Sequence, residues 1–215
     1  MALSRLTTKN YLEYQNMSEK VWISFFSQTG TEIANVSNKI GRWPDVIVTN
    51  KTSIEGVNDV LLEHIDRLIM IPNKPSLDEY GQVTAFAATL GDNVFLNNEN
   101  KFEGMLITLH GYLRIIPKEV CSLFYVYNGH PGDIVNYPEL KGKDPQDRVT
   151  EDMTTIGSVI HKVTPGVDEG EIVAHQTRDW TALPKSVRKM FVTGTLREIS
   201  EELWVEFLKK QFNII

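Results

Sequence analysis

Along the chain, short apolar runs alternate with segments whose apolar positions recur at helical spacing. "VWISFF" (Val21–Phe26), "DVIVT" (45–49), "RLIMI" (67–71) and "GMLITLHG" (104–111) are continuous apolar runs of strand length. After the first run, Ile33, Val36 and Ile40 fall on one helical face, and Gly41 is a natural stop. Residues 55–66 read as a second helix. Pro72 and Pro75 mark a loop, and Ser76 caps a helix reaching about Thr89. A brief helix after Pro117 leads into "SLFYVYN" (122–128), a fifth strand.

Beyond Asn128 the rhythm changes. "GSVIHKVT" (157–164) and "EIVAHQT" (171–177) are strands joined by the glycine-bounded "PGVDEG", the pattern of a hairpin. A last helix over 193–212 places Leu196, Ile199, Leu203 and Phe207 on one face. Strands alternating with helices predict an α/β fold: a mostly parallel, twisted sheet flanked by helices, with a C-terminal β-hairpin and a terminal helix. Residues 1–20 read as an N-terminal extension, helical in part or disordered, and 21–215 as a single domain.

Composition narrows the partners more than the fold. With 41% hydrophobic and 23% charged residues over 215 positions, the chain can bury a core and one deep pocket. A formal net charge of −6 argues against gripping phosphate backbones, so no nucleic-acid partner is expected. The single cysteine, Cys121, excludes an internal disulfide and points to a reducing, cytoplasmic compartment. No apolar run reaches transmembrane length and no signal-peptide core opens the chain, so no membrane partner is expected.

In sheets of this kind ligands bind beyond the carboxyl ends of the strands. Three stretches qualify: 27–32, 111–116, and the segment from Asn128 onward. In "NGHP" (128–131), Pro131 fixes extended geometry at His130, and an amide two residues earlier lies on the same side of an extended chain. A donor amide beside an imidazole can stabilise an oxyanion and move protons, although Asn, Gly and Pro are equally the residues of an ordinary turn. Asp168, close to Glu169 and Glu171, either orients a histidine or belongs to a solvated acidic turn. "SQTGTE" has one glycine and neither phosphate-loop pattern, and Thr29-x-x-Glu32 fits a capping box, with Glu32 reaching back to the first amide of its own helix. His64, His110, His161 and His175 lack metal-ligand spacing, so no metal is expected. Lys141, Lys143 and Arg148 form a basic loop able to meet an anionic substrate.

Asn128-x-His130-Pro131 resembles a motif of the folate-dependent formyltransferases, as does Asp168 in "TPGVDEGEIV" after "GSVIHKV". "GYLRIIP" (111–117), "VTNK" (48–51) and the strand–"SQTG"–helix opening support the resemblance, in the family's order, from about Val21 to the final helix. The resemblance implies a Rossmann-like formyltransferase fold in an enzyme of one-carbon metabolism and purine biosynthesis. It would move the formyl group of 10-formyltetrahydrofolate to a small-molecule primary amine, glycinamide ribonucleotide-like, through a tetrahedral intermediate. An amino sugar nucleotide or another modified amine as acceptor, or water in a 10-formyltetrahydrofolate hydrolase, stand as alternatives.

By the same resemblance Asn128, His130 and Asp168 are the catalytic residues. Leu113, Arg114, Ile115 and Ile116, with Thr164, Pro165, Gly166 and Val167, bind the folate, while Gly30, Thr31 and Glu32 bind the acceptor. A homodimer is compatible with the family. Glu32 stands where the family usually has a small polar residue, and Gly129 replaces a usually apolar one. These departures leave the acceptor's identity open.

Overall fold

Six apolar residues in succession suit a strand buried on both faces, and β1 (Val21–Phe26) lies inside the sheet with every residue buried. Val21, Ile23 and Phe25 pack to one side and Trp22 and Phe26 to the other. The computed structural model describes residues 20–215, so residues 1–19 of the expected N-terminal extension lie outside the described residues. Strands β2 (Val46–Thr49), β3 (Leu68–Met70), β6 (Met105–Leu109) and β7 (Val126–His130) join β1 in parallel. Strands β8 (Thr155–Lys162) and β9 (Ile172–Asp179) extend the sheet antiparallel. The seven strands run in the order β3-β2-β1-β6-β7-β8-β9. A separate two-stranded ribbon, β4 (Phe95–Leu96) with β5 (Phe102–Glu103), is too short to show as a pattern in the sequence.

Helices cover both faces, as the alternation predicts. On one face α3 (Leu77–Ala88) and α4 (Lys118–Leu123) set Tyr80, Val83, Ala87 and Val120 against β1 and β6. On the other, α1 (Thr31–Ile40) and the long α6 (Lys185–Phe212) bring Val36, Ile40, Leu203, Trp204, Phe207 and Leu208 together. The N-terminal half of α6 lies over β8, where Val192, Leu196 and Ile199 meet Val159 and Trp180. Each fully buried side chain of this size contributes about 1.5–3 kcal/mol, so packing rather than intrinsic propensity holds these helices.

Several boundaries differ from those expected. The fifth strand is not 122–128: Ser122 and Leu123 close α4, and β7 runs on through Gly129 to His130. The last helix starts at Lys185, two turns before 193. Those turns expose Met190 and Phe191 and bury a charge, Arg188, whose guanidinium donates to the carbonyls of Leu183, Glu151, Met153 and Thr181, so no apolar stripe marks them. The expected helix 55–66 is a single turn, α2 (Asp59–Leu62), followed by a 3-10 turn at Ile65–Arg67. It is started by Asn58, whose side chain accepts from the amides of Val60 and Leu61. The C-terminal hairpin is present, with its strands shifted by up to two residues from 157–164 and 171–177. At α3 the expected cap holds: the Glu79 carboxylate accepts the Ser76 amide at 2.5 Å.

Candidate active site

The carboxyl end of β7 is where the sheet changes direction. β7 pairs parallel with β6 and antiparallel with β8, and the register sets Asn128 opposite His161 and His130 opposite Val159. Alternation along the strand then puts Asn128 and His130 on one face, with His161 beside them. The "NGH" stretch is therefore strand, and the turn begins only at Pro131. Gly129 faces the other way. A Cβ there would lie 2.4 Å from Nε1 of Trp204, so glycine is what lets the indole pack flat on the strand.

Asp168 closes the cluster from the β8–β9 loop. It sits at φ 52°, a left-handed backbone that few residues other than glycine adopt. One carboxylate oxygen, Oδ2, lies 3.1 Å from Nδ1 of His130 and accepts the Gly142 amide at 2.8 Å. The other, Oδ1, lies 3.2 Å from Nε2 of His161. Burial alone would raise the Asp168 carboxyl. The hydrogen bonds of His130 and His161, the charge on His130 and the Gly142 amide outweigh it and hold the group well below the usual carboxylate range.

His130 is buried, and its Nε2 donates to the Leu140 carbonyl at 2.9 Å. Both ring nitrogens thus face oxygen atoms, Nδ1 that of Asp168 and Nε2 that of Leu140. The Asn128 amide lies 3.1 Å from Nε2 of His161, whose Nδ1 donates to the Lys162 carbonyl at 2.9 Å. The loop between β7 and β8, which includes the short α5 (Pro145–Arg148), covers this cluster. It is tied down by Asp133, which accepts from His175 at 2.9 Å and from Thr155 at 3.0 Å, and by Arg148, which donates to the Leu140 carbonyl at 3.1 Å. The basic loop is thus engaged in part with its own backbone.

A second carboxylate–histidine pair lies at the same end of the sheet, next to α1. Glu32 is half-buried, and its side chain does not cap its own helix, so the expected capping box is absent. Gly30 is the cap residue, at φ 69°, and the first helical amide, that of Thr31, donates to Oγ1 of Thr29 at 3.3 Å. Instead His110 donates from Nδ1 to Glu32 at 2.8 Å and Ser200 donates from Oγ at 2.6 Å. Burial alone would raise the Glu32 carboxyl, but the His110 hydrogen bond and charge, together with Ser200, bring it below its ordinary value. His110 in turn reaches Thr108 Oγ1 at 3.1 Å and stacks against Trp204, with ring centroids 4.3 Å apart. A cleft of about 250 Å³ runs past these groups, lined by 28–32, His110, Gly129, Pro131 and, from α6, Thr193, Arg197 and Ser200.

The structure brings Asn128, His130 and Asp168 into one cluster and puts Gly30, Thr31 and Glu32 along the cleft beside it. Thr164, Pro165, Gly166 and Val167 share the loop of Asp168. Leu113 and Ile115 stand exposed after β6, at 52% and 69%, and Val167 at 56%. Ile116 is turned into the core. Arg114 donates to the Asn73 carbonyl at 2.6 Å and, with Leu113, Lys51 and Asn50, lines a polar cleft of about 290 Å³. His161, His110 and Ser200 were not singled out from the sequence as site residues. The two histidines were only histidines without metal spacing, and what recruits them is strand register and the approach of α1 and α6. Among the described residues no cluster of His, Cys, Asp or Glu suits a metal ion.

The formyl transferase family model matches residues 23–189, which hold Asn128, His130 and Asp168, and the chain belongs to that family. Solved structures share the fold at low identity. Phosphoribosylglycinamide formyltransferase of Streptococcus pneumoniae superposes with a TM-score of 0.64 at 19% identity, over 90% of this chain and 99% of that one. The enzyme of the same name from Anaplasma phagocytophilum gives 0.68 at 14%, over 89% and 86%. A formyltetrahydrofolate deformylase from Pseudomonas syringae gives 0.65 at 16%, covering 92% of this chain but 63% of that one. No curated protein matches the chain in sequence.

Proposed function

We propose that the protein transfers the formyl group of 10-formyltetrahydrofolate to a primary amine, with Asn128, His130 and Asp168 as catalytic residues. The observation that carries the reading is Asp168, a carboxylate brought from a distant loop onto the imidazole of His130 and next to Asn128. When the amine nitrogen attacks the formyl carbon, the carbonyl oxygen becomes anionic and needs donors. The Asn128 amide and the His130 imidazolium are of the right type, and a donor of this kind is worth roughly 2.7–4 kcal/mol. Asp168 keeps His130 charged and correctly turned, and accepts a share of its proton as the amine's proton passes to the departing N10.

In the state described, Nε2 of His130 is committed to the Leu140 carbonyl. Catalysis requires that bond to be exchanged for one to the substrate oxygen, so the β7–β8 loop takes part in the cycle. The main chain of 113–116 and the loop 164–167 would hold the folate. Leu113, Ile115 and Val167, three large apolar side chains left exposed on these two loops, are what a flat aromatic ring would cover. The acceptor would enter by the cleft lined by Gly30, Thr31 and Glu32.

Release of tetrahydrofolate tests this. Turnover that depends on an added amine supports the reading, and turnover with water alone would assign the chain to hydrolysis instead. Absence of both turnover and folate binding would refute it.

A further inference from the structure

The loop between β7 and β8 meets the Asn128–His130–Asp168 cluster at three points. Nε2 of His130 donates to the Leu140 carbonyl, and the Gly142 amide donates to Asp168. Residue 132 lies against the imidazole itself, since a Cβ there would come within 2.9 Å of Nε2. His130 is thus held by Asp168 on one side and by this loop on the other. What fixes the loop fixes the ring.

The loop is fixed by a charge that formyl transfer does not use. Asp133 follows Gly132, and its side chain is wholly buried. Its Oδ1 accepts from Nε2 of His175 at 2.9 Å and from the Asn136 amide at 3.2 Å. Its Oδ2 accepts from Oγ1 of Thr155 at 3.0 Å and from Nδ2 of Asn136 at 2.8 Å. Around it Ile134, Leu140, Val149 and Met153 pack with Val159 in one apolar cluster. Burying a carboxylate is costly, and an apolar side chain would serve the packing as well. What the four donors add is one defined placement of the loop on β8 and β9. The register shows how the hold reaches His130. His130 pairs with Val159 and Val159 with His175, so the two histidines share one row and one face, two strands or roughly 10 Å apart. Residues 132 and 133 bridge that row, one against His130 and the other on His175.

Building on the formyl-transfer reading, we infer that Asp133 and His175 are positioning residues for the reaction: through residues 132, 140 and 142 they hold the imidazole of His130 where it can serve the formyl oxygen. Neither touches the reacting atoms. The bond from His130 to Leu140 is exchanged during the cycle, and the anchor at Asp133 keeps the rest of the loop in place meanwhile.

His175 is half-buried on the edge strand β9, so replacing it spares the core. The test compares His175→Ala, which removes the donor to Asp133, with His175→Gln, whose amide restores one. Two readouts are taken: solvent exchange of the histidine ring N–H protons by NMR, and release of tetrahydrofolate from 10-formyltetrahydrofolate with glycinamide ribonucleotide as acceptor. In the native protein the Nε2 proton of His130, identified by its absence in His130→Gln, should exchange slowly. In His175→Ala that exchange should quicken about tenfold or more, as the loop opens more often. There kcat should fall about tenfold while KM for 10-formyltetrahydrofolate stays within about twofold, the mark of a misplaced group and not of lost binding. His175→Gln should return both readouts to within about twofold of native. The proposal is overturned if His175→Ala changes only one readout or neither, or if His175→Gln fails to restore what the alanine removes. If the native protein releases no tetrahydrofolate, the formyl-transfer reading is what fails. The exchange rate, which needs no substrate, then decides by itself whether Asp133 and His175 hold His130.

Discussion

Of the carboxylates paired with histidine near the carboxyl end of the sheet, Asp168 and Glu32 are built in opposite ways. Asp168 lies on a loop, in a left-handed backbone, and bridges His130 and His161. Glu32 lies on the first turn of a regular helix and bridges His110 and Ser200. Both are held below their ordinary pKa against the effect of burial. The difference lies in what surrounds them. Asp168 is enclosed with a histidine whose two nitrogens are both engaged, whereas Glu32 borders an open cleft. A carboxylate–histidine contact by itself does not say which task it serves. The access of each to solvent, and the partners of each histidine, do.

The sharpest break of this comparison is Asp168→Asn. It keeps the shape but removes the charge that orients His130, and kcat should fall on the order of 10³–10⁴-fold with the fold retained by circular dichroism. Asn128→Ala removes one oxyanion donor and should lower kcat roughly 10²–10³-fold, with little change in folate affinity. A fall confined to KM would place Asn128 in binding only.

Acid separates the pair further. Because the folded pKa of Asp168 is depressed, its contribution to stability is present above the unfolded carboxyl pKa, about 3.9, and is lost as pH falls through and below that value. Thermal melts from pH 6 to 3 should therefore fall less steeply for Asp168→Asn than for the native chain. Equal slopes would show that the contact does not stabilise the fold.

Packing gives the next effect. In Gly129→Ala the new methyl meets the Trp204 indole, and a loss of about 1–3 kcal/mol is expected, with Tm lowered by roughly 2–4 °C per kcal/mol. Combined with Trp204→Phe the two losses should not add, because they share one contact. Smallest is Glu171→Gln, at an exposed pair with Lys162. Stability should change by about 1 kcal/mol at most, with kcat unchanged, which separates Asp168 from its acidic neighbour.

Much of the scaffold was legible because its signals are local. Continuous apolar runs announced β1, β2, β3 and β6, and Ser76 with Glu79 announced α3. The first turns of α6 were not legible, since Arg188 satisfies them through carbonyls far away in sequence. At the site, Asn128, His130 and Asp168 came together as the family resemblance implied. His161 did not show itself, because only the antiparallel register sets it opposite Asn128. Glu32 was misread for a related reason: capping is a local rule, and the competing partners His110 and Ser200 arrive from β6 and α6.

By itself, then, the sequence determined the order of strands and helices, the strand-end placement of the candidate residues and the residue types available for chemistry. Those follow from periodicity and side-chain character along the chain. The tertiary structure alone decided which carboxylate meets which histidine, that Gly129 serves Trp204, and that Glu32 faces a cleft instead of its own helix. These depend on contacts closed over long stretches of chain, where strand register and helix packing choose the partner and no local preference can.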